Sequence, residues 1–298
     1  MQATDLHGMF PALPTPLDAD GKLDLAALAT LVETNIAGGA RGLVPMGGTG
    51  EFTALSHDDR VAVVRETVRL AAGRVPVVPG VVSPGRAEAL ATGHAFRDAG
   101  AAGLMLVTPF YVIPSQAGVQ EYFRSYRAEV GLPLVYYDVP SRTGFVTAVE
   151  TVRDLAADGT IIGMKVCNTD AHYFNRLATA LEGRIALLSG DDMLYVIHAM
   201  HGAVGGVLAS APMLPAYWTA IHDRVEAGDF AGAIAMHRKL IPVFDALFAE
   251  VNPGPLKLMM SQLGTDVGPV SLPLRAPSEA TQALIARAVQ VVRAEAMA

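Results

Sequence analysis

Eight short apolar runs recur along residues 9–208, each bounded by Gly or Pro and followed by a longer stretch with helical spacing of its apolar residues. Parallel neighbours in a sheet need a crossover of a dozen or more residues, usually a helix, so this rhythm predicts parallel strands joined by crossover helices. The strands are read at 9–13, 42–46, 75–79, 103–107, 133–137, 161–165, 185–188 and 203–208. The helices between and after them are read at 24–37, 56–72, 86–99, 116–130, 147–156, 170–181, 192–200 and 216–227. Ser56 before His57-Asp58-Asp59 is an N-cap with acids in the first turn, and Gly73 and Gly100 stand where helices stop in a left-handed residue. Eight units point to an α/β fold closed as a (β/α)8 TIM barrel; an open doubly wound sheet is the alternative if the strand count is off. Beyond the eighth unit only helical patterns follow, at 230–250, 255–263 and 278–298, with Asn252-Pro253-Gly254-Pro255 between the first two. The expected organisation is a barrel over 1–227 carrying the active site, with a C-terminal helical appendage over 228–298.

The bulk properties exclude several classes of function. Half of the 298 residues are apolar (51%) against 17% charged, which is incompatible with a disordered chain. A net charge of -7 with scattered basic residues lacks the basic face of a nucleic-acid binder. The N-terminus has no signal-peptide pattern, and the most membrane-like stretch, 203–218, is interrupted by Gly205, Gly206, Pro212 and Pro215. The single cysteine, Cys167, forms no intrachain disulfide. These features predict a cytoplasmic protein with neither nucleic acid nor membrane as partner. Low charge content hints at apolar surface covered by self-association.

In a barrel of this kind the chemistry sits at the carboxyl ends of the strands. Only four lysines occur, at 22, 165, 239 and 257, and Lys165 closes an apolar strand in Gly163-Met164-Lys165. Desolvation there lowers an ammonium pKa, and a neutral amine attacks a ketone to form a Schiff base; the alternative is a lysine that snorkels to the rim or pairs with Asp191 or Asp192. Tyr137 ends the preceding strand at the same height, where its phenol can move protons near that amine, although alternation lets only one of Tyr136 and Tyr137 face inward. The turn Gly47-Gly48-Thr49-Gly50 offers approachable N–H groups and one hydroxyl, suited to a carboxylate or a phosphate. Arg142, in a loop flanked by Pro and Gly, can grip a carboxylate with two parallel hydrogen bonds, or be merely solvated. Gly190 stands in the strand end Ser189-Gly190-Asp191-Asp192, and Gly205 in Gly202-Ala203-Val204-Gly205-Gly206, which reads as a phosphate-binding turn or as a strand that needs space beside a ligand. His198 and His201 lack a third metal ligand in the sequence, and Cys167 reads as a small apolar residue; no metal site is expected.

Taken in order, these strand ends resemble the dihydrodipicolinate synthase and N-acetylneuraminate lyase family of Schiff-base-forming lyases. The resemblance runs colinearly through Pro14-Thr15-Pro16, Gly47 to Glu51, Thr108-Pro109-Phe110-Tyr111, Tyr137 to Gly144, Gly163-Met164-Lys165, Ser189 to Asp192 and Asn252-Pro253. It implies a homotetrameric barrel that binds pyruvate or another 2-oxo acid covalently at Lys165 and needs no cofactor beyond that Schiff base. It implies further that Thr49 and the amides around Gly48 hold the oxo-acid carboxylate, with Gly190 and Gly205 beside the substrate. Tyr137 is then the general acid/base, Tyr111 reaches the site from a neighbouring subunit, and Arg142 contacts the carboxylate of an aldehyde such as aspartate semialdehyde. One departure stands out: the synthases usually have threonine where this chain has Gly48, and Gly-Gly-Thr-Gly-Glu-Phe is similar to the turn of keto-deoxy sugar-acid dehydratases. The reading is therefore a pyruvate-condensing synthase, with a 2-oxo-acid dehydratase or deaminase as alternative and a catalytically silent metabolite-binding barrel as a remote third.

Overall fold

A computed structural model describes residues 1–296 of the chain. Seven parallel strands form one sheet: β1 (Gly8–Met9), β2 (Gly80–Val81), β3 (Leu104–Val107), β4 (Leu134–Asp138), β5 (Ile161–Val166), β6 (Ala186–Ser189) and β7 (Gly205–Gly206), in the order β1-β7-β6-β5-β4-β3-β2. An eighth stave closes the ring between β1 and β2, where Ala12 bridges Val44 and Leu43 bridges Val77, both parallel. This stave is irregular for a chemical reason. Pro11, Pro45, Pro76 and Pro79 accept hydrogen bonds from Val44, Gly80, Leu43 and Met105 but have no N–H to return, so the ladders on this side are half-made. The same prolines explain why regular pairing in the third stave starts at Gly80 rather than within the expected 75–79.

The crossovers are α1 (Leu25–Ala37), α2 (His57–Ala71), α3 (Arg86–Asp98), α4 (Gln116–Val130), the short α5 (Pro140–Thr143), α6 (Val149–Ala157), α7 (Ala171–Leu181), α8 (Tyr195–Met200) and α9 (Pro215–Glu226). Their starts obey side-chain capping: Asp24, Ser56, Ser115 and Asp170 each accept an N–H from the first turn of α1, α2, α4 and α7. Four further helices follow, α10 (Phe230–Lys239), α11 (Ile241–Leu247), α12 (Gly254–Gln262) and α13 (Glu279–Ala296). The helix expected over 230–250 is thus two, divided at Leu240 because Pro242 can sit only in the first turn of a new helix. The last two residues of the expected 278–298 helix lie outside the described residues. Among the described residues, no helix is long and apolar enough to cross a membrane.

Strand alternation separates two cores. Met105, Val107, Val135, Tyr137 and Leu188 fill the barrel with Phe10, Val44 and Val78, while Leu134, Tyr136, Met164 and Val166 face outward against the helices. Tyr137, not Tyr136, is therefore the inward tyrosine. A third cluster joins Met9, Tyr195 and Trp218 to Val243, Phe244, Ile285 and Val289, so the C-terminal helices share apolar packing with the barrel wall.

β1 and β7 touch through glycines, and a Cβ on Gly205 would overlap the Gly8 carbonyl oxygen and lie 2.7 Å from its amide nitrogen. Gly205→Ala is therefore expected to lower unfolding stability by about 1–3 kcal/mol or more in urea titrations. An unchanged midpoint would mean that the two strands can part without cost.

Candidate active site

A cavity of about 870 Å³ opens at the carboxyl ends of the strands, and Gly48, Thr49, Tyr137, Arg142, Lys165 and Gly190 all line it. β4 and β5 pair with Tyr137 opposite Lys165, placing both side chains at one height on the inner face. The Lys165 Nζ lies 4.6 Å from the centroid of the Tyr137 ring, and the two residues are only 7% and 8% exposed. Gly190 makes this possible: a Cβ there would collide with the Cys167 Sγ and stand 2.9 Å from Cγ of Lys165.

Burial is the largest influence on the Lys165 ammonium and pushes its pKa down; Tyr137, Cys167 and Asp192 oppose it as anions and together carry the pKa above the ordinary lysine range. Two of those anions do not exist at neutral pH. Burial raises the Tyr137 phenol, and it pushes the Cys167 thiol up to about 12. With phenol and thiol protonated, desolvation is left opposed chiefly by Asp192, whose own carboxyl burial also raises. The contacts that favour the charged amine are thus weakened while the phenol and thiol stay protonated.

The turn over 47–51 is built by close backbone approach. Met46 and Glu51 take left-handed conformations, and a Cβ on Gly50 would stand 2.7 Å from the Met46 nitrogen. Thr15 Oγ1 donates to the Gly50 carbonyl (2.7 Å). Thr49 Oγ1 accepts from Asn252 Nδ2 (2.8 Å), which leaves the threonine proton free to donate into the cavity. Beside Thr49, the position of an ideal Cβ on Gly48 lies 4.0 Å from the Tyr137 hydroxyl with nothing closer, so the phenol faces open space here.

The sequence reading missed what anchors this turn. Glu51 and Lys257 form a 2.6 Å ion pair with side chains 1% and 2% exposed. Glu51 Oε2 also accepts the Ser271 N–H (2.6 Å), and Lys257 donates to the Pro269 carbonyl (2.7 Å). Burial lowers the Lys257 pKa, with Glu51 opposing. The available signal was a lysine set among Leu256, Leu258, Met259 and Met260 in a chain with so few lysines.

Asp138, one residue past Tyr137, is also buried and was likewise missed. Its Oδ1 accepts from Thr147 Oγ1 (3.2 Å), its Oδ2 has no partner among the described residues, and burial pushes its pKa up to about 7. Arg142 stands exposed on α5, which starts at Pro140 and stops at the left-handed Gly144. Two expected residues are not brought to the cavity of this chain. Gly205 is not among the residues that line the cavity, and a Cβ on it would meet the backbone of Gly8 on β1. Tyr111 is 93% exposed on a left-handed backbone, followed by exposed Val112 and Ile113. His198 is buried, bonded to Ser189 Oγ (2.9 Å) and stacked on Phe174.

The model of the Dihydrodipicolinate synthetase family matches residues 5–292. The chain is 39% identical over 296 residues to a 4-hydroxy-tetrahydrodipicolinate synthase of Sorangium cellulosum, covering 99% of this chain and 98% of the relative. Among solved structures, a chloride-inhibited dihydrodipicolinate synthase from Acinetobacter baumannii complexed with pyruvate superimposes with a TM-score of 0.93 at 31% identity, over 96% of this chain and 98% of that one. A monomeric dihydrodipicolinate synthase variant does so with a TM-score of 0.93 at 28% identity, over 97% and 98%.

Removing one partner of a buried ion pair strands the other charge, at a cost of about 3–5 kcal/mol. Lys257→Met should lose that much stability in denaturant titrations, and adding Glu51→Gln should recover part of it. For Asp138 the folded pKa, about 7, exceeds the ordinary 3.8, so the native state holds the extra proton. Stability should fall as pH rises from about 4 to 7 and level off above. Asp138→Asn should flatten this slope and gain stability at pH 8, and a parallel pH profile for the variant would count against the assignment.

Proposed function

The chain belongs to the dihydrodipicolinate synthetase family, and on that premise we propose that it is a Schiff-base-forming lyase that condenses pyruvate with an acidic aldehyde, in the manner of a 4-hydroxy-tetrahydrodipicolinate synthase. The observation that carries this reading is the buried Lys165 amine beside the Tyr137 phenol on paired strands at one end of the cavity. The lysine, as free base, attacks the ketone carbon of pyruvate, and loss of water leaves an iminium. That iminium draws electrons from C3, which gives up a proton to become the nucleophilic carbon of an enamine. The enamine carbon then bonds to the aldehyde carbon, which regenerates the iminium; attack on it by water or by the product's own amine breaks the bond to Lys165 and frees the lysine, and Tyr137 relays the protons that these steps move. Run backwards, the same sequence cleaves the bond. The iminium that the lysine forms with the substrate is the electron sink, so the reading calls for no organic cofactor.

The remaining residues divide the substrates between them. Thr49 and the amides around Gly48 take the carboxylate of pyruvate, Gly190 leaves room for the lysine stem and its adduct, and Arg142 takes the carboxylate of the aldehyde by a two-pronged hydrogen bond. The exposed Tyr111-Val112-Ile113 segment supports assembly into a homotetramer in which Tyr111 serves the site of a neighbouring subunit. The compartment that fits a single cysteine and pyruvate chemistry is the cytoplasm.

One observation favours a second reading. The open space at Gly48 deprives Tyr137 of a side-chain relay partner there, and that suits elimination of water from a Schiff-base adduct, as in a keto-deoxy sugar-acid dehydratase.

Borohydride with pyruvate should fix a covalent adduct on the wild type and none on Lys165→Ala, read by intact mass; no adduct on the wild type would favour a silent barrel. Tyr137→Phe should slow turnover by about 10²-fold or more while the adduct still forms. Product from pyruvate plus aspartate semialdehyde supports the synthase, with Arg142→Ala raising KM for the aldehyde alone. Product only from 2-keto-3-deoxy sugar acids would replace it with the dehydratase.

A further inference from the structure

At the opposite, amino-terminal end of the barrel, we propose that His7, His222 and Glu226 form a binding site for a divalent transition metal of the zinc, cobalt or nickel class. His7 immediately precedes β1, and His222 and Glu226 stand one turn apart on the same face of α9. One donor atom from each lies within 4.8 Å of the other two.

The buried member of the set is pre-oriented. His222 is 6% exposed, and its Nδ1 is hydrogen-bonded to the Tyr195 hydroxyl (2.7 Å), while its Nε2 is buried and has no partner among the described residues. This is the arrangement of a metal-bound imidazole, in which a bond at one ring nitrogen fixes the ring and leaves the other nitrogen to the ion. Gly8 runs beside that nitrogen: an ideal Cβ there would stand at ordinary contact distance, 3.6 Å, from it and 2.6 Å from Cγ of Arg41.

The other two members are free to close. His7 Nε2 and Glu226 Oε2 are 3.2 Å apart, on side chains 40% and 49% exposed. Zinc bonds of about 2.0–2.2 Å in tetrahedral geometry place donor atoms about 3.4 Å from one another, so assembly needs small rotations of two surface side chains against a fixed third. A cavity of about 310 Å³ beside the cluster leaves room for a water as fourth ligand. Arg41 and Asp223 line the same cavity, so the arginine's repulsion of a dication is offset by a second carboxylate beside Glu226. Two imidazoles and a carboxylate select zinc-like ions over magnesium or calcium. The ion would tie the entry of β1 to α9, stabilising the folded chain by mass action.

The test uses the full chain stripped with a chelator, titrated with zinc by calorimetry and melted with and without the ion. One zinc per chain is expected, with a melting temperature that rises with zinc concentration. His7→Gln and Glu226→Gln should each weaken binding by at least about tenfold while keeping the pyruvate adduct and the melting point of the metal-free protein. Cobalt in place of zinc should give the intense visible bands of a four-coordinate ion, lost in either variant. Absence of zinc uptake by the wild type, or undiminished uptake by both variants, would overturn the proposal.

Discussion

The register between β4 and β5 governs everything at the carboxyl end of the barrel. Tyr137 pairs with Lys165, and because side chains alternate along a strand, a one-residue slip of either strand would send its member of the pair to the helix-facing side and bring Tyr136 or Met164 inward in its place. What holds the register is the outer layer. Tyr136 stacks on Phe123 and shares its hydroxyl with Thr108 and Thr147, and Thr147 in turn bonds Asp138. The polar side of the site is thus fixed by contacts on the opposite face of the same strands.

The parts of this architecture that repeat were legible in the sequence. Apolar runs spaced by helical segments gave the barrel and placed the starts of α1, α2, α4 and α7 to within a residue, with Ser56 read as the cap of α2. The parts that went unread depend on partners distant in the chain. Lys257 carries no assigned partner in the sequence until the fold brings it 2.6 Å from Glu51, and the close approach of Gly8 to Gly205 appears only when β1 and β7 pair. Proline carried two messages and only one was recognised. It marked strand boundaries, but its missing N–H also decides where regular pairing begins, as at Gly80, and where a long helix must divide, as at Pro242.

Lys165 and Lys257 show how one residue type is put to different use by its surroundings. Both are almost fully buried. Lys257 is matched at once by a carboxylate and a carbonyl, so its charge is spent on holding two segments together. Lys165 faces a phenol and a thiol that burial keeps protonated, with buried Asp192 as the nearby carboxyl and no ion pair of its own among the described residues. A site of this kind stores reactivity by under-satisfying one group while over-tying the scaffold around it.

The turn that includes Thr49 and Glu51 is fastened by Asn252, Lys257 and Ser271, which belong to the last fifth of the chain. On the ribosome, all eight staves are translated before any of these fasteners has been made. A still-growing polypeptide therefore carries Lys165 and the turn over 47–51 before the residues that fasten that turn exist.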